Sequence, residues 1–326
     1  MGRNPLHSGL YVSVAPGRVR SLDSRRARRS FRRVHTGDRV KSHLTPRELA
    51  QAVGVSESSV KRWADDGRIV AYRTAGGHRR IHVADAIRFI RSEELPLAQP
   101  EILGLTELQA AMDEPWGRKP PGKAILDGLR AGYAVEVRGM VLSLYLRGTS
   151  VAEICDGPLA YALGRIGEQW REDASGIFLG HQSLDLCAQA LHRLRALLTR
   201  SSRDGPVAVG GVYPGDLHTL PSLMAAASLA DLGWRVTNLS GQSSLEVLGR
   251  AAEHHRARLA WLAMGHPVHT GAPVGQIGQL ADRLADQQAR LVLGGRAWSE
   301  LPCDHDNCHY AGSMKELVAL AREQVA

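Results

Sequence analysis

The chain has 326 residues, a length that favours two or three domains. With 44% hydrophobic residues it can bury a substantial core, which excludes wholesale disorder, and no apolar run approaches the roughly 20 residues of a membrane span. The formal net charge is +8, and residues 1–42 hold eleven of the 41 Lys and Arg residues against two Asp. This asymmetry indicates an N-terminus that binds a polyanion. Nucleic acid is the first candidate and an anionic membrane is the second.

Residues 1–42 are predicted to form a disordered basic arm. The stretch 25–33 is mostly arginine and has almost nothing to bury, so it suits nonspecific contact with phosphates. A merely solvated tail, or an overlong gene model, is the alternative. The N-terminus lacks the apolar stretch of a secretory signal, and four cysteines are too few for a disulfide scaffold, so we expect a cytoplasmic protein.

Residues 43–92 carry the signals of a winged helix-turn-helix. Thr45-Pro46-Arg47-Glu48 is a capping box that starts a first helix, which Gly54 ends. Ser56 caps a second helix over 57–66. A glycine turn at 74–78, between short strands at 69–72 and 79–81, predicts a two-stranded wing, and a helix over 85–91 closes the unit.

Nine side chains of this unit are candidate contacts to double-stranded DNA. Small hydroxyls on the outer face of the second helix allow close approach to a major groove, and cations there and on the wing reach phosphates or guanine edges. These residues are Ser58, Ser59, Lys61, Arg62, Arg73, Thr74, His78, Arg79 and Arg80. A basic hairpin that is simply solvated is the alternative interpretation of the wing.

The next two regions differ in periodicity. The five prolines of residues 93–121 predict a linker with a short helix at 106–113. Residues 122–200 have apolar side chains at three- and four-residue spacing and are predicted to form a helical bundle. Its helices are placed near 123–147, 150–171 and 176–199.

Residues 205–326 alternate short apolar runs with helical segments, a pattern that predicts a flavodoxin-like α/β domain with a parallel sheet. The predicted strands are 207–212, 235–239, 258–264 and 290–293, and the predicted helices are 221–232, 244–256, 273–288 and 313–325. The expected fold class is therefore multidomain: winged helix-turn-helix, helical bundle and α/β domain.

Asp216 and His218 follow the first predicted strand and so lie at the carboxyl end of the sheet, where open α/β folds bind ligands. A histidine there can coordinate a metal through one ring nitrogen while a carboxylate fixes its tautomer. Gly294-Gly295 ends the fourth strand, where a backbone can approach a ligand closely. In the bundle, Trp170 and His181 are candidate cofactor contacts. The alternative is that Trp170 fills the core and His181 is an ordinary helix histidine.

The segment from Cys303 to His309 gathers two cysteines and two histidines in what we predict to be a polar loop after the fourth strand. Zinc or copper binding is chemically possible there, but the spacing matches no standard structural zinc motif. The sequence contains no phosphate loop, no nucleophile elbow and no suitably paired carboxylates. We therefore expect a protein that is not an enzyme.

Two motifs resemble known families. Residues 56–63 and 73–81 resemble the MerR/excisionase winged helix, in which the nine candidate side chains lie on the recognition helix and wing, whereas Trp63 is a core residue. Asp216-x-His218 and Gly294-Gly295 resemble the cobalamin-binding domain. That resemblance makes His218 the lower axial ligand of cobalt, and the other motif segments the lining of a slot for the nucleotide tail.

The bundle resembles the helical cap of the same family, where Trp170 and His181 would cover the upper cobalt face. The whole order resembles the CarH/LitR-type light-responsive transcriptional regulators. This implies adenosylcobalamin as cofactor, an operator as partner, a homo-oligomer (dimer or tetramer) and disassembly in light. One such DNA-binding domain alone is too small to be specific.

The chain departs from the cobalamin motifs at three positions. Pro221 replaces the motif glycine, Ala263 replaces a serine, and Gly180 stands where the cap has a glutamate. A regulator that retains the scaffold for assembly or partner binding without the cofactor is therefore an alternative. A corrinoid-carrying enzyme subunit and a metal sensor built on the cysteine segment are two further alternatives.

Overall fold

The computed structural model describes residues 42–112, 118–170, 174–198, 205–239, 241, 243–265, 274–299 and 303–325. The chain divides into two units, residues 1–40 and 41–326, and every described residue belongs to the second. The predicted basic arm, apart from its last residue, lies outside the described residues.

A winged helix-turn-helix begins the described chain. Its elements are β1 His43–Leu44, α1 Pro46–Val53, α2 Glu57–Asp65, β2 Tyr72–Arg73, β3 Arg79–His82 and α3 Val83–Ser92. The capping box is present, since Thr45 Oγ1 accepts from Glu48 N (3.2 Å) and the Glu48 carboxylate accepts from Thr45 N (2.7 Å). The sheet order is β1-β3-β2, all antiparallel, so the wing has a third strand that the sequence pattern did not indicate.

The region that follows is helical. Its helices are α4 Glu107–Met112, α5 Pro121–Ala131, α6 Ala134–Leu146, α7 Val151–Ile154, α8 Ala160–Trp170 and α9 Ala174–Leu198. The single helix predicted over 123–147 is wrong, because Gly132 adopts a left-handed conformation (φ +74°) that ends α5. None of the described helices has the length and apolar composition that a membrane span requires.

One π-helical turn, Cys155–Leu159, joins α7 to α8 without a break. Pro158 lies inside this turn and has no N–H to donate, and Ala160 N donates to the carbonyl of Cys155, five residues back. The turn therefore contains one residue more than an α-helix would.

Part of the segment assigned to a linker is packed into the protein. Leu103, Leu105 and Leu108 are buried, and a 3-10 turn at Pro100–Leu103 leads towards α4. Gly139 of α6 faces the Glu107 carbonyl so closely that a side chain would not fit. Residues 100–111 thus lie directly against the helical region.

The last region contains a five-stranded sheet. Its elements are β4 Val207–Val212, α10 Leu220–Asp231, β5 Arg235–Asn238, α11 Leu245–His255, β6 Leu259–Ala263, α12 Val274–Asp286, β7 Arg290–Gly294, β8 Cys308–Ala311 and α13 Met314–Glu323. All strands are parallel in the order β5-β4-β6-β7-β8, which is the flavodoxin-like order. The predicted parallel sheet is confirmed, but it has five strands rather than four.

The extra strand is β8, which overlaps the segment predicted to be a polar loop. That prediction is wrong for Cys308 and His309, which pair with Leu291 and Val292 of β7. β8 lies at the edge of the sheet, so its side chains need not be apolar, and the strand lacks the pattern that marks the buried strands.

Helix α10 is buried on two sides. Leu223 and Ala227 belong to the apolar core that runs without a break from the winged helix through the helical region. Ala226 and Leu229 pack instead on the sheet, against Trp261 and other residues. Two apolar faces explain why α10 has no charged residue before Asp231.

The Asp231 carboxylate joins all three regions. Its Oδ1 accepts from Arg91 of α3 (3.1 Å) and from the Tyr145 hydroxyl of α6 (3.0 Å), and its Oδ2 accepts from the backbone N–H of Val151 (3.0 Å). Arg91 also donates to the Gly148 carbonyl (2.9 Å), and its guanidinium lies 4.2 Å from the Tyr145 ring centre. Burial, and then the neighbouring Asp231, raise the pKa of Tyr145, which keeps its hydroxyl a donor.

Asp156 of the helical region makes a similar contact with a helix of the sheet region. It lies in the π-turn, and its two carboxylate oxygens accept from the backbone N–H groups of Met314 and Lys315, each at 2.9 Å. Asp231 of the sheet region thus caps the first turn of α7, and Asp156 of the helical region caps the first turn of α13. Each carboxylate lies at the positive end of a helix.

We expect Asp231→Asn to lower the free energy of unfolding by about 2–4 kcal/mol, because it removes the charge that balances a largely buried Arg91. Its side chain is 11% exposed and that of Arg91 is 21% exposed. Urea denaturation followed by circular dichroism measures the change.

The control is Glu246→Gln, which breaks an ion pair whose side chains are 73% and 62% exposed and should change stability by less than about 0.5 kcal/mol. Equal effects of the two substitutions would show that Asp231 does not hold the regions together.

Candidate functional site

The outer face of α2 is the first candidate surface. Ser56 caps the helix, and its hydroxyl lies 2.8 Å from Ser58 Oγ and 2.9 Å from Ser59 Oγ. Lys61 and Arg62 are exposed on the next turn, and Lys61 Nζ lies 2.8 Å from Glu57. Trp63 packs against Phe89 with ring centres 5.0 Å apart, a position that agrees with its predicted place in the core.

The wing is a tight turn held by its own backbone. Thr74 N donates to the His78 carbonyl (2.9 Å), Gly77 N donates to the Thr74 carbonyl (2.8 Å), and Gly77 has φ +78°. Arg79 forms an ion pair with Asp65 at the end of α2. This pair links the wing to the end of α2.

The nine predicted DNA contacts fall into two groups. One group is exposed and consists of Ser58, Lys61, Arg62, Arg73 and His78. The other group is partly buried and makes contacts within the protein; it consists of Ser59, Thr74, Arg79 and Arg80. The assignment of all nine to DNA stays a prediction, and the exposed group is the better placed to reach a duplex.

The second candidate site lies at the carboxyl end of β4. The Asp216 side chain is 1% exposed, and its Oδ1 accepts from His218 N (2.9 Å) and lies 2.7 Å from His218 Nδ1. Its Oδ2 accepts from Gly265 N (2.6 Å), which follows β6. The His218 side chain is 43% exposed. The carboxylate therefore holds the imidazole by Nδ1, and Nε2 is the nitrogen through which it can coordinate a metal.

The electrostatics of Asp216 favour its charged form. Burial alone raises the pKa of this carboxyl, but hydrogen bonds from the backbone of His218 and Gly265, and then from the imidazole, outweigh burial. The resulting pKa is below the usual range. A carboxylate that stays ionised keeps the His218 ring in one orientation.

The space between α10 and the sheet is filled by protein behind this site. The Trp261 indole is buried against Gly210 and donates from Nε1 to Ser222 Oγ (2.9 Å), and Ser222 donates to Asn238 Oδ1 (3.0 Å). Ser222 follows Pro221, and Trp261 points to the same face of β6 as Ala263. His218 thus fits the role of an axial ligand, whereas Pro221 and Ala263, which the resemblance places in the motifs of the nucleotide-tail slot, lie beside residues of this packed layer.

The predicted glycines have a structural reason of their own. Gly295 has φ +110°, and a side chain there would collide with the Met264 backbone. Gly294 ends β7, where its carbonyl accepts from Met264 N (2.8 Å). The structure therefore brings both glycines to the Met264 backbone, and their predicted role in ligand binding stays a prediction.

The bundle candidates are described only in part. His181 is exposed on α9, and Gly180 beside it is buried. Trp170 ends α8, but its side chain lies outside what the structure describes. Phe178, one turn before His181, is 67% exposed, and Leu217, beside His218, is 78% exposed.

The sequence did not indicate two sets of polar residues. The Arg91–Tyr145–Asp231 cluster joins residues up to 140 positions apart, and the Trp261–Ser222–Asn238 chain crosses three elements. Neither set forms a motif, because their members are adjacent only in the folded chain.

A comparison with known protein families supports the helix-turn-helix assignment of the N-terminal unit. The helix-turn-helix domain family matches residues 44–94. No curated protein matches the chain. A monomethylamine corrinoid protein from Methanosarcina barkeri matches in structure with 18% identity and a TM-score of 0.45, covering 61% of this chain and 95% of its own.

Two other solved structures are similar to a lesser degree. A cobalamin-binding protein from Desulfitobacterium hafniense has 13% identity and a TM-score of 0.32, with coverage of 63% of this chain and 98% of its own. The methanol:cobalamin methyltransferase complex of Methanosarcina barkeri has 13% identity and a TM-score of 0.32, with coverage of 71% and 86%.

We expect Asp216→Asn to lower stability by about 1.5–3 kcal/mol near neutral pH, because the amide nitrogen would face the Gly265 N–H instead of accepting from it. The folded-state pKa of Asp216 is depressed, so its contribution is present above the unfolded pKa of about 3.9 and is lost as the pH falls through the lower folded value.

Urea denaturation of both proteins between about pH 7 and pH 3 tests this dependence. The difference between them should be constant near neutrality and shrink below about pH 4. A difference independent of pH would mean that the charge of Asp216 is not what stabilises the site.

Proposed function

We propose that this protein is a cytoplasmic, DNA-binding transcriptional regulator whose C-terminal half binds a cobalamin. The observation that carries the first part is the helix-turn-helix match over residues 44–94, on which Lys61, Arg62 and Arg73 are exposed. In this proposal α2 enters the major groove and the wing follows the backbone or a minor groove. A dimer or tetramer on repeated half-sites supplies the specificity that one small domain lacks.

The cofactor proposal rests on the Asp216–His218 pair. His218 would ligate cobalt through Nε2, and Asp216 would hold the ring, as carboxylates do for metal-bound histidines. Adenosylcobalamin supplies a cobalt–carbon bond that light can break. The exposed Leu217 and Phe178 would give the corrin ring an apolar surface. Because Trp261 fills the space under α10, the ligand would lie over the carboxyl edge of the sheet.

Helix α10 offers a physical connection between the two activities. It begins two residues after His218 and ends at Asp231, which binds Arg91 on the last helix of the winged domain. A ligand that displaces the His218 loop would act on a rigid helix whose far end holds α3. We propose that this helix transmits the state of the sensor half to the DNA-binding unit.

A regulator without the cofactor is the second candidate. Pro221, Ala263 and the packed Trp261 favour it, because the resemblance assigns the tail of the cofactor to this region. The C-terminal half would then serve assembly or partner binding. We propose a regulator rather than a corrinoid-carrying enzyme subunit, because the chain carries a helix-turn-helix unit.

We expect Arg62→Ala to lower the affinity for a DNA duplex from the region upstream of the protein's gene about tenfold. An exposed arginine on α2 is placed for guanine or phosphate contact. Fluorescence anisotropy at one fixed salt concentration measures the change. Arg250→Ala, an exposed arginine on α11, is the matched control and should leave affinity unchanged. Equal affinity of all three proteins would show that Arg62 makes no contact that contributes to DNA binding.

We expect His218→Ala to lose most of the bound adenosylcobalamin after desalting in the dark, because the axial ligand is absent. The visible spectrum before and after green light provides the measurement, and His192→Ala, an exposed histidine of α9, is the control. Unchanged retention and spectrum would show that His218 is not the ligand.

Cobinamide, a corrinoid without the nucleotide tail, makes the same experiment sharper. Since Trp261 occupies the space beneath α10, we expect cobinamide and cobalamin to bind with similar affinity. Much weaker binding of cobinamide would mean that Trp261 moves aside for the tail. No binding of either corrinoid would favour the regulator without cofactor.

A further inference from the structure

Cys303 and Cys308 form a thiol pair in the apolar core between the sheet and helices α11 and α12. Their sulfur atoms are 2.9 Å apart, and both cysteines are free. Cys303 is buried, and Cys308, the first residue of β8, is half-buried. Because a disulfide has an S–S length of about 2.05 Å, less than about 1 Å of approach would join them.

The backbone around the pair is already fixed. The Tyr310 hydroxyl accepts from Cys303 N and donates to the Cys303 carbonyl (3.1 Å), so the segment before β8 is held against the strand. Asn307 Nδ2 donates to the carbonyls of Ala281 and Ala289, both at 3.0 Å. The chain between the two sulfurs therefore needs little further ordering to close a bridge.

His305, which lies between the two cysteines in the sequence, interacts with other residues. His305 Nε2 lies 3.0 Å from Asp282, and its Nδ1 accepts from Asn307 N at 3.0 Å. Among the described residues, no three His, Cys, Asp or Glu side chains are grouped as a metal site would require. A structural zinc site needs four ligands, so the geometry favours thiol chemistry over metal binding.

We infer that Cys303 and Cys308 are a redox site that closes a reversible intramolecular disulfide on exposure to a peroxide. One oxygen atom of hydrogen peroxide is transferred to the partly exposed Cys308 thiol, which becomes a sulfenic acid, and the other oxygen atom leaves as water. The Cys303 sulfur then attacks the Cys308 sulfur, forms the S–S bond and releases a second water. Two thiols thus lose two electrons and two protons, and a dithiol reductant restores them.

The surroundings of the Cys308 thiol control the rate of this oxidation. Burial, and then the hydrogen bond with Cys303, raise the pKa of the Cys308 thiol. The reactive thiolate is therefore scarce near neutral pH, and we expect the bridge to form faster when the pH is raised from about 7 to about 8.5.

The test treats the whole purified chain with hydrogen peroxide and, in a parallel sample, with diamide, a thiol oxidant that spares Met314. After oxidation the remaining thiols are alkylated and the protein is digested with trypsin, which cleaves after Arg296 and Lys315 and leaves both cysteines in one peptide. We expect this peptide to be lighter by two hydrogen atoms and unalkylated, and to regain both thiols in dithiothreitol.

Cys303→Ser and Cys308→Ser are the paired controls, and each should leave one thiol that is alkylated. Cys155 and Cys187, both buried in the helical region, provide an internal comparison and should remain thiols at the same dose. Three results would overturn the inference: a dithiol peptide that survives diamide, a bridge found only between two chains, or tightly held zinc that protects both cysteines.

Discussion

The hydrogen bonds of one carboxylate hold this molecule together. Asp231 binds the last helix of the winged domain, the Tyr145 hydroxyl and the first turn of α7, so three parts of the chain meet at two oxygen atoms. A largely buried carboxylate that accepts from three donors has little freedom to adopt another arrangement. Asp156 makes the same kind of contact with α13, so two capping carboxylates join the helical region to the sheet region.

Helix α10 gives this junction its functional meaning. Its first turn follows the loop that carries His218, and its last residue is Asp231, so one rigid element spans the candidate ligand site and the domain junction. The same helix is buried on both faces, by the core of the helical region and by the sheet. Movement at either end must therefore be shared with its neighbours, since packed interiors deform little.

Local signals were enough to find most elements, while contacts distant in sequence were not. The capping box at Thr45 and Glu48 and the apolar runs of β4 and β6 identified a helix-turn-helix and a parallel sheet, because capping and periodicity act over a few residues. Asp216 and His218 were found because both follow one strand. β8 was missed because an edge strand needs no apolar pattern, and Trp261 gave no sign of its bond to Ser222.

The π-turn at Cys155–Leu159 determines which side chains of the following helix, α8, face the core. One residue advances an α-helix by about 100°, so loss of a single residue here would rotate the face of α8 by that amount. Ala162 and Ile166, now buried, would turn away from the core, and Asp156 would lose its aim at the first turn of α13. The extra residue in the turn is thus a spacer that sets two interfaces at once.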